Sequence, residues 1–199
     1  GFIRSSYGHL IRTRDGGKTW AIQKQLQTSN MYEMVFKTRD TAFIVGVKNI
    51  FKSDDGGETW YVVQKLPEKD QYGDVYRALF GIKFINQTTG FAFGSQLIWK
   101  TADGGKTWKE VMMKYDGWIG DISSMHFTDN KNGIAFASSI GDISKSYTTT
   151  DGGENGKTKD TRFFMPVGAR FNVMVIENNI VPGFPQASAF MHTAKSSNT

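Results

Sequence analysis

The chain contains no cysteine. That excludes disulfide staples and thiolate metal sites, and leaves the redox compartment unread. Its three histidines, His9, His126 and His192, lie far apart with no ligand-like spacing, so neither a metal centre nor a cofactor is expected. No run approaches the ~18 apolar residues of a membrane-crossing helix, and no segment keeps a helical apolar period. A Ser-type nucleophile elbow is missing. Gly156-Lys157-Thr158 lacks the glycine that a phosphate loop places five residues earlier, where Asp151 stands. The net charge of +5 is spread along the sequence rather than clustered, which describes a solvated surface and no nucleic-acid footprint. Neither an initiator Met nor a leader-like stretch opens the chain at Gly1. The expectation is a removed leader or a piece of something longer.

What is present is glycine and aromatic side chains. There are 22 glycines, and aromatics make up 14% of 199 residues against a modest 39% apolar content. That balance favours short strands joined by Gly-centred turns, on a chain long enough for one sizeable core.

One turn organises the sequence. Thr13-Arg14-Asp15-Gly16-Gly17-Lys18-Thr19-Trp20 returns as Ser53-Asp54-Asp55-Gly56-Gly57-Glu58-Thr59-Trp60 and as Thr101-Ala102-Asp103-Gly104-Gly105-Lys106-Thr107-Trp108. A fourth copy, Thr149-Thr150-Asp151-Gly152-Gly153, lacks the closing Thr-Trp and has Asn155-Gly156 there. The aspartates are 40, 48 and 48 residues apart, close to the length of a four-stranded propeller blade. Phe36 precedes Gly46 by ten residues, as Phe84 precedes Gly94 and Phe127 precedes Ala137.

This register predicts four strands per unit. First strands are Tyr32–Phe36, Leu79–Phe84 and Ile122–Phe127; second strands are Ala42–Gly46, Gly90–Gly94 and Gly133–Ala137. Third strands are His9–Thr13, Asn49–Ser53, Leu97–Thr101 and Ile143–Tyr147. Fourth strands begin at the turn Trp: Trp20–Lys24, Trp60–Gln64 and Trp108–Met112. Gly1–Ser6 aligns with Thr41–Gly46, so the chain opens at a second strand. Phe190–Thr199 aligns with Ile98–Thr107, with Ile176 at the Phe84 position, and reads as an eroded fifth unit. The fold class is therefore all-β, a β-propeller of four-stranded antiparallel blades with about four and a half repeats. The units are roughly 1–30, 31–75, 76–120, 121–168 and 169–199. Three outcomes stay open: a fragment of a larger propeller, a small five-bladed ring, or an incomplete ring completed by a partner.

Folding explains the turn. The Asp accepts backbone N–H groups, the glycines supply left-handed backbone angles, and the Trp packs between blades. The acidic residues do not alternate as a calcium loop requires. Asp15, Trp20, Asp55, Trp60, Asp103, Trp108 and Asp151 are thus structural, and the fourth and fifth turns, lacking parts of the pattern, are expected to be looser.

These residues resemble the Asp-box, or BNR repeat, Ser/Thr-x-Asp-x-Gly-x-Thr-Trp. The longer Phe–x9–Gly–x8–Asp-Gly-Gly-x-Thr-Trp cadence is similar to the photosystem II stability/assembly factor-like group. The resemblance implies a propeller fold and an extracytoplasmic or secreted location. It implies little about activity, because Asp-box propellers include sialidases, glucanases, sorting receptors and assembly factors.

Candidate functional residues fall in the loops between blades. One loop carries Tyr72, Asp74 and Tyr76, with Arg77; the next carries Tyr115, Asp116 and Trp118, with Asp121 at its end. Aromatic faces beside carboxylates suit a sugar-binding cleft, a ring stacking on the pyranose and carboxylates binding hydroxyls. Glycoside hydrolysis needs two opposed carboxylates, which Asp74, Asp116 and Asp121 could supply. A sialidase is rejected: there are only seven arginines, and Tyr32 and Glu33, being adjacent in a strand, should point to opposite faces. Arg12, Lys52 and Lys100 recur one residue before each turn and form an arc that could dock an acidic partner. The favoured function is a non-enzymatic scaffold binding a protein or a glycan. The alternatives are a glycoside hydrolase or its fragment, and a structural or receptor-binding module of a larger assembly such as a virion.

Overall fold

The computed structural model describes residues 1–4, 8–26, 30–67, 78–111, 120–138, 144–161, 171–176 and 179–185. Every regular element among them is a strand. The first sheet has three: β1 (Phe2–Arg4), β2 (His9–Arg12) and β3 (Ala21–Gln25). Three four-stranded antiparallel sheets follow. They are β4 (Met31–Phe36), β5 (Ala42–Gly46), β6 (Asn49–Ser53) and β7 (Tyr61–Lys65); then β8 (Leu79–Phe84), β9 (Gly90–Gly94), β10 (Leu97–Thr101) and β11 (Lys109–Glu110); then β12 (Asp121–Phe127), β13 (Gly133–Ser138), β14 (Ser144–Thr149) and β15 (Lys157–Thr161). A hairpin of β16 (Phe171–Ile176) and β17 (Asn179–Pro185) comes next. Each sheet meanders in chain order, as a propeller blade does.

The second strands of the second and third blades are buried throughout: both β5, Ala-Phe-Ile-Val-Gly, and β9, Gly-Phe-Ala-Phe-Gly, have no exposed residue. A middle strand with blades on both sides must be apolar on both faces. Its alternate residues feed successive inter-blade cores. Ala42 and Ile44 pack with Leu10 and Trp60 between blades one and two; Phe43 and Val45 pack with Leu79 and Trp108 between blades two and three. Phe91 and Phe93 join Ile122 and Tyr147 between blades three and four. Backbone bridges at Val47–Ala78 and Ser95–Asp121 tie successive blades together.

The repeated turn does what its residues predict. In the second blade, Thr59 donates its backbone N–H and its hydroxyl to Asp55, at 2.9 and 2.5 Å. Ser53 donates to Asp55 and accepts from Gly57 N–H, both at 2.8 Å. The indoles of Trp20 and Trp60 donate to the carbonyls of Gly17 and Gly57 at 3.0 Å. Hydrogen bonds to Thr59 lead in holding the Asp55 carboxyl down at about 2, and the same arrangement lowers Asp15, Asp103 and Asp151.

Several sequence expectations shift. The fourth turn is not loosened. Asn155 donates its side-chain amide to Asp151 at 2.8 Å and its backbone N–H at 2.9 Å, replacing the missing Thr. Gly1 carbonyl accepts Thr13 N–H, and Phe2 stands opposite Arg12 just as Phe43 stands opposite Lys52. Phe2 therefore takes the Phe43 place, one residue out of the sequence alignment with Ala42. Fourth strands begin after the Trp, whose indole belongs to the turn, and β11 keeps only two paired residues. The fourth blade's third strand runs Ser144–Thr149 rather than Ile143–Tyr147, residue 143 lying outside the described residues. In the last unit Ile176 pairs with Asn179, a much tighter turn than Phe84 with Gly90. Phe190–Thr199 lies outside the described residues.

Candidate functional site

The first strands share an irregularity that the sequence reading missed. In β4 the pairing runs Met31–Gly46, then Glu33–Val45; in β8 it runs Leu79–Gly94, then Gly81–Phe93. In β12 it runs Ile122–Ala137, then Ser124–Phe136. Tyr32, Phe80 and Ser123 are thus the extra residues of three equivalent β-bulges. A bulge cancels the alternation of side chains and re-aims its residues. Tyr32 and Glu33, expected on opposite faces, instead line the same groove, as do Ser123 and Ser124. A signal was available: the buried pairs Leu79/Ile82 and Ile122/Met125 are three residues apart, not two.

The groove runs across β4, β8 and β12 with a volume of about 790 Å³. On one side Tyr32 meets Phe80 edge-on, ring centroids 5.1 Å apart. Glu33 accepts the Ile82 backbone N–H at 2.7 Å, a strut between blades. Lys83 is half-buried; its ammonium lies 3.4 Å from the Met125 carbonyl and 3.5 Å from His126 Nδ1. Burial lowers the Lys83 pKa, with Glu33 opposing. Burial, then the Lys83 charge, lowers that of His126. Arg4 reaches in from the first blade, donating to the Met31 carbonyl at 2.5 Å. Glu33 is the one carboxylate among the described lining residues, which gives the groove a cationic bias and no opposed acid pair.

Six residues expected at a binding site, Tyr72, Asp74, Tyr76, Tyr115, Asp116 and Trp118, lie outside the described residues. Asp121 stands at the head of β12, half-buried and bridged to Ser95. Arg12, Lys52 and Lys100 do recur in register, on the strands that lead into the turns, but their side chains are only 19%, 11% and 16% exposed. Arg12 pairs with Glu58 on the next blade's turn, and Lys100 with Glu154 on its next, also donating to the Gly152 carbonyl at 2.9 Å. For Lys52 the corresponding position is Lys106. Lys52 turns instead to Asp54 on its own blade, at 2.7 Å. Burial opposes its charge, yet Asp54 outweighs that and raises its pKa. Lys37 then supplies the donor to the Gly104 carbonyl, at 3.4 Å. These cations are engaged between or within blades. Among the described residues no cluster of His, Asp or Glu is arranged to hold a metal, and no helix is long and apolar enough to cross a membrane.

Known proteins supply the context. No curated protein matches the chain. A structure of YCF48 bound to D1 peptide is 21% identical, covering 87% of this chain and 52% of its own, with a TM-score of 0.57. YCF48 from Cyanidioschyzon merolae is 20% identical over 90% of this chain and 57% of its own, TM-score 0.58. The chain spans about half the length of these two structures. The GH74 enzyme of Niastella koreensis is 16% identical, covering 80% of this chain but 27% of its own, TM-score 0.61. All three share the fold. The sequence profile of one family matches residues 25–162, more than half of the chain, and on that match the chain belongs to the family of photosynthesis system II assembly factor YCF48.

Proposed function

We propose that the chain is a non-enzymatic, protein-binding propeller that holds an extended polypeptide segment in the groove across β4, β8 and β12. The observation that carries this reading is the repeated bulge, which turns two adjacent residues of each of three blades toward one continuous groove. The mixture suits a peptide. The Tyr32–Phe80 edge takes an apolar side chain, Ser124 offers a hydroxyl to a backbone, and Arg4 and Lys83 favour an acidic residue. A lone carboxylate held by a backbone N–H does not suit glycoside hydrolysis, which needs a pair. A YCF48 relative bound to D1 peptide supports a protein partner.

The test is selection of a random-peptide phage library on the chain, with xyloglucan oligosaccharide as competitor. Enriched peptides should bind Phe80→Ala and Lys83→Glu about tenfold more weakly, a loss of ~1.4 kcal/mol. Peptides indifferent to both changes, or displaced by the oligosaccharide, would refute the reading.

A further inference from the structure

The fourth turn keeps its Asp cage but has no Trp. In the third blade Trp108 fills the space against blade two, edge-on to Phe43 and Phe84 at 6.2 and 6.0 Å. Ile50, Val63 and Trp99 complete its surroundings. One blade later the equivalent position is Gly156. The equivalent neighbours are Phe91, Phe127, Ile98, Val111 and Tyr147, and they line a pocket that includes Gly156 itself. The cavity has a volume of about 50 Å³ and opens to solvent on one side. It corresponds, residue for residue, to the socket of a box Trp.

The first two box Trp residues also make one polar contact. Trp60 donates its indole N–H to the Gly57 carbonyl. The equivalent carbonyl, that of Gly153, borders the pocket, although Trp108 in the third blade leaves its own indole N–H without such a bond. The floor is aromatic, with Phe91 and Phe127 stacked at 4.9 Å, and the rim carries the Lys100–Glu154 ion pair. An apolar slot with one acceptor at a defined edge selects a flat ring bearing a single N–H donor.

We propose that this pocket receives the indole ring of a tryptophan side chain carried by another polypeptide. The inference does not depend on the groove across the first strands.

The probe is N-acetyl-L-tryptophanamide, titrated into the full chain and followed by NMR. Saturable binding is expected, with shifts at Phe91, Phe127 and Tyr147. Gly156→Trp should abolish it by filling the slot from within. A Cβ at Gly156 meets nothing nearer than the Thr148 carbonyl oxygen at 3.7 Å, so the backbone accepts a side chain. Gly156→Leu, smaller, should abolish it as well and serves if the Trp variant does not fold. N-acetyl-leucinamide should not bind. Four results would each overturn the proposal: no saturable binding, binding retained in both variants, equal binding of the leucine amide, or binding of free indole but not of the tryptophan amide.

Discussion

The second glycine of the turn occurs four times, at Gly17, Gly57, Gly105 and Gly153, always with a positive φ between 84° and 96°. Substituting Ala at each imposes the same backbone strain, roughly 1–2 kcal/mol for an L-residue in that region. What differs is the neighbour. A Cβ on Gly17 comes no closer than 3.7 Å to its own Trp20. On Gly153 it would stand 3.0 Å from Phe91, on Gly57 2.7 Å from Phe2, and on Gly105 2.3 Å from Phe43. Phe43 is fully buried and backed by Phe84 at 4.9 Å, so it has nowhere to go. Overpacking of that kind adds roughly 1–3 kcal/mol. Phe2 is only half-buried and can swing. The expected order of cost is Gly17→Ala, then Gly153→Ala and Gly57→Ala, then Gly105→Ala, from about 1 to about 4 kcal/mol.

Urea unfolding followed by tryptophan fluorescence reads these differences as midpoint shifts at constant m. Protection of the box amides against hydrogen exchange locates the loss to one blade interface, as a stacked repeat requires. Adding Phe43→Leu to Gly105→Ala should recover ~1 kcal/mol or more of coupling. If all four substitutions cost the same within ~0.5 kcal/mol, or if Phe43→Leu adds its full penalty to Gly105→Ala, the inter-blade contact is not the reason for this glycine.

Three further outcomes follow from the same contacts. Because the folded state lowers the pKa of all four turn aspartates, their stabilisation is complete above the unfolded carboxyl value of ~3.9 and is lost as pH falls; the thermal midpoint should drop between about pH 4 and pH 2, less so in Asp55→Asn, and a flat profile would count against the cage. Lys106→Glu should give Lys52 the inter-blade partner that Arg12 and Lys100 already have, raising stability by ~0.2–1 kcal/mol at low salt and by nothing at high salt in paired denaturation curves. Gly156→Trp with Asn155→Thr should raise the urea midpoint by the equivalent of ~1.5–3 kcal/mol by burying an indole in the fourth blade's empty socket, and an unchanged midpoint would mean that the socket collapses in solution.

The blades were legible because their signals are local and repeated. A turn that needs Asp to gather N–H groups, glycines for positive φ and a Trp for the blade edge leaves little choice of sequence, so four copies set the register of most strands to within a residue. The groove was illegible for the opposite reason. Its side chains are Tyr32 and Glu33 in one blade, Phe80 and Gly81 in the next, Ser123 and Ser124 in the third, with no shared chemistry to align. What they share is a bulge, and a bulge leaves its trace in the spacing of core residues rather than in the residues it exposes. Leu79 and Ile82 are both buried only because Phe80 is squeezed out between them. The strict alternation used to separate Tyr32 from Glu33 fails at just the place where a propeller wall must curve. Repetition therefore identifies what holds the blades together, and departures from period two identify what the blades hold in common toward a ligand. The turn at Asp151 adds a third case. There the cage persists with Asn155 in place of the Thr and only the indole is lost, at Gly156, so its socket is still built.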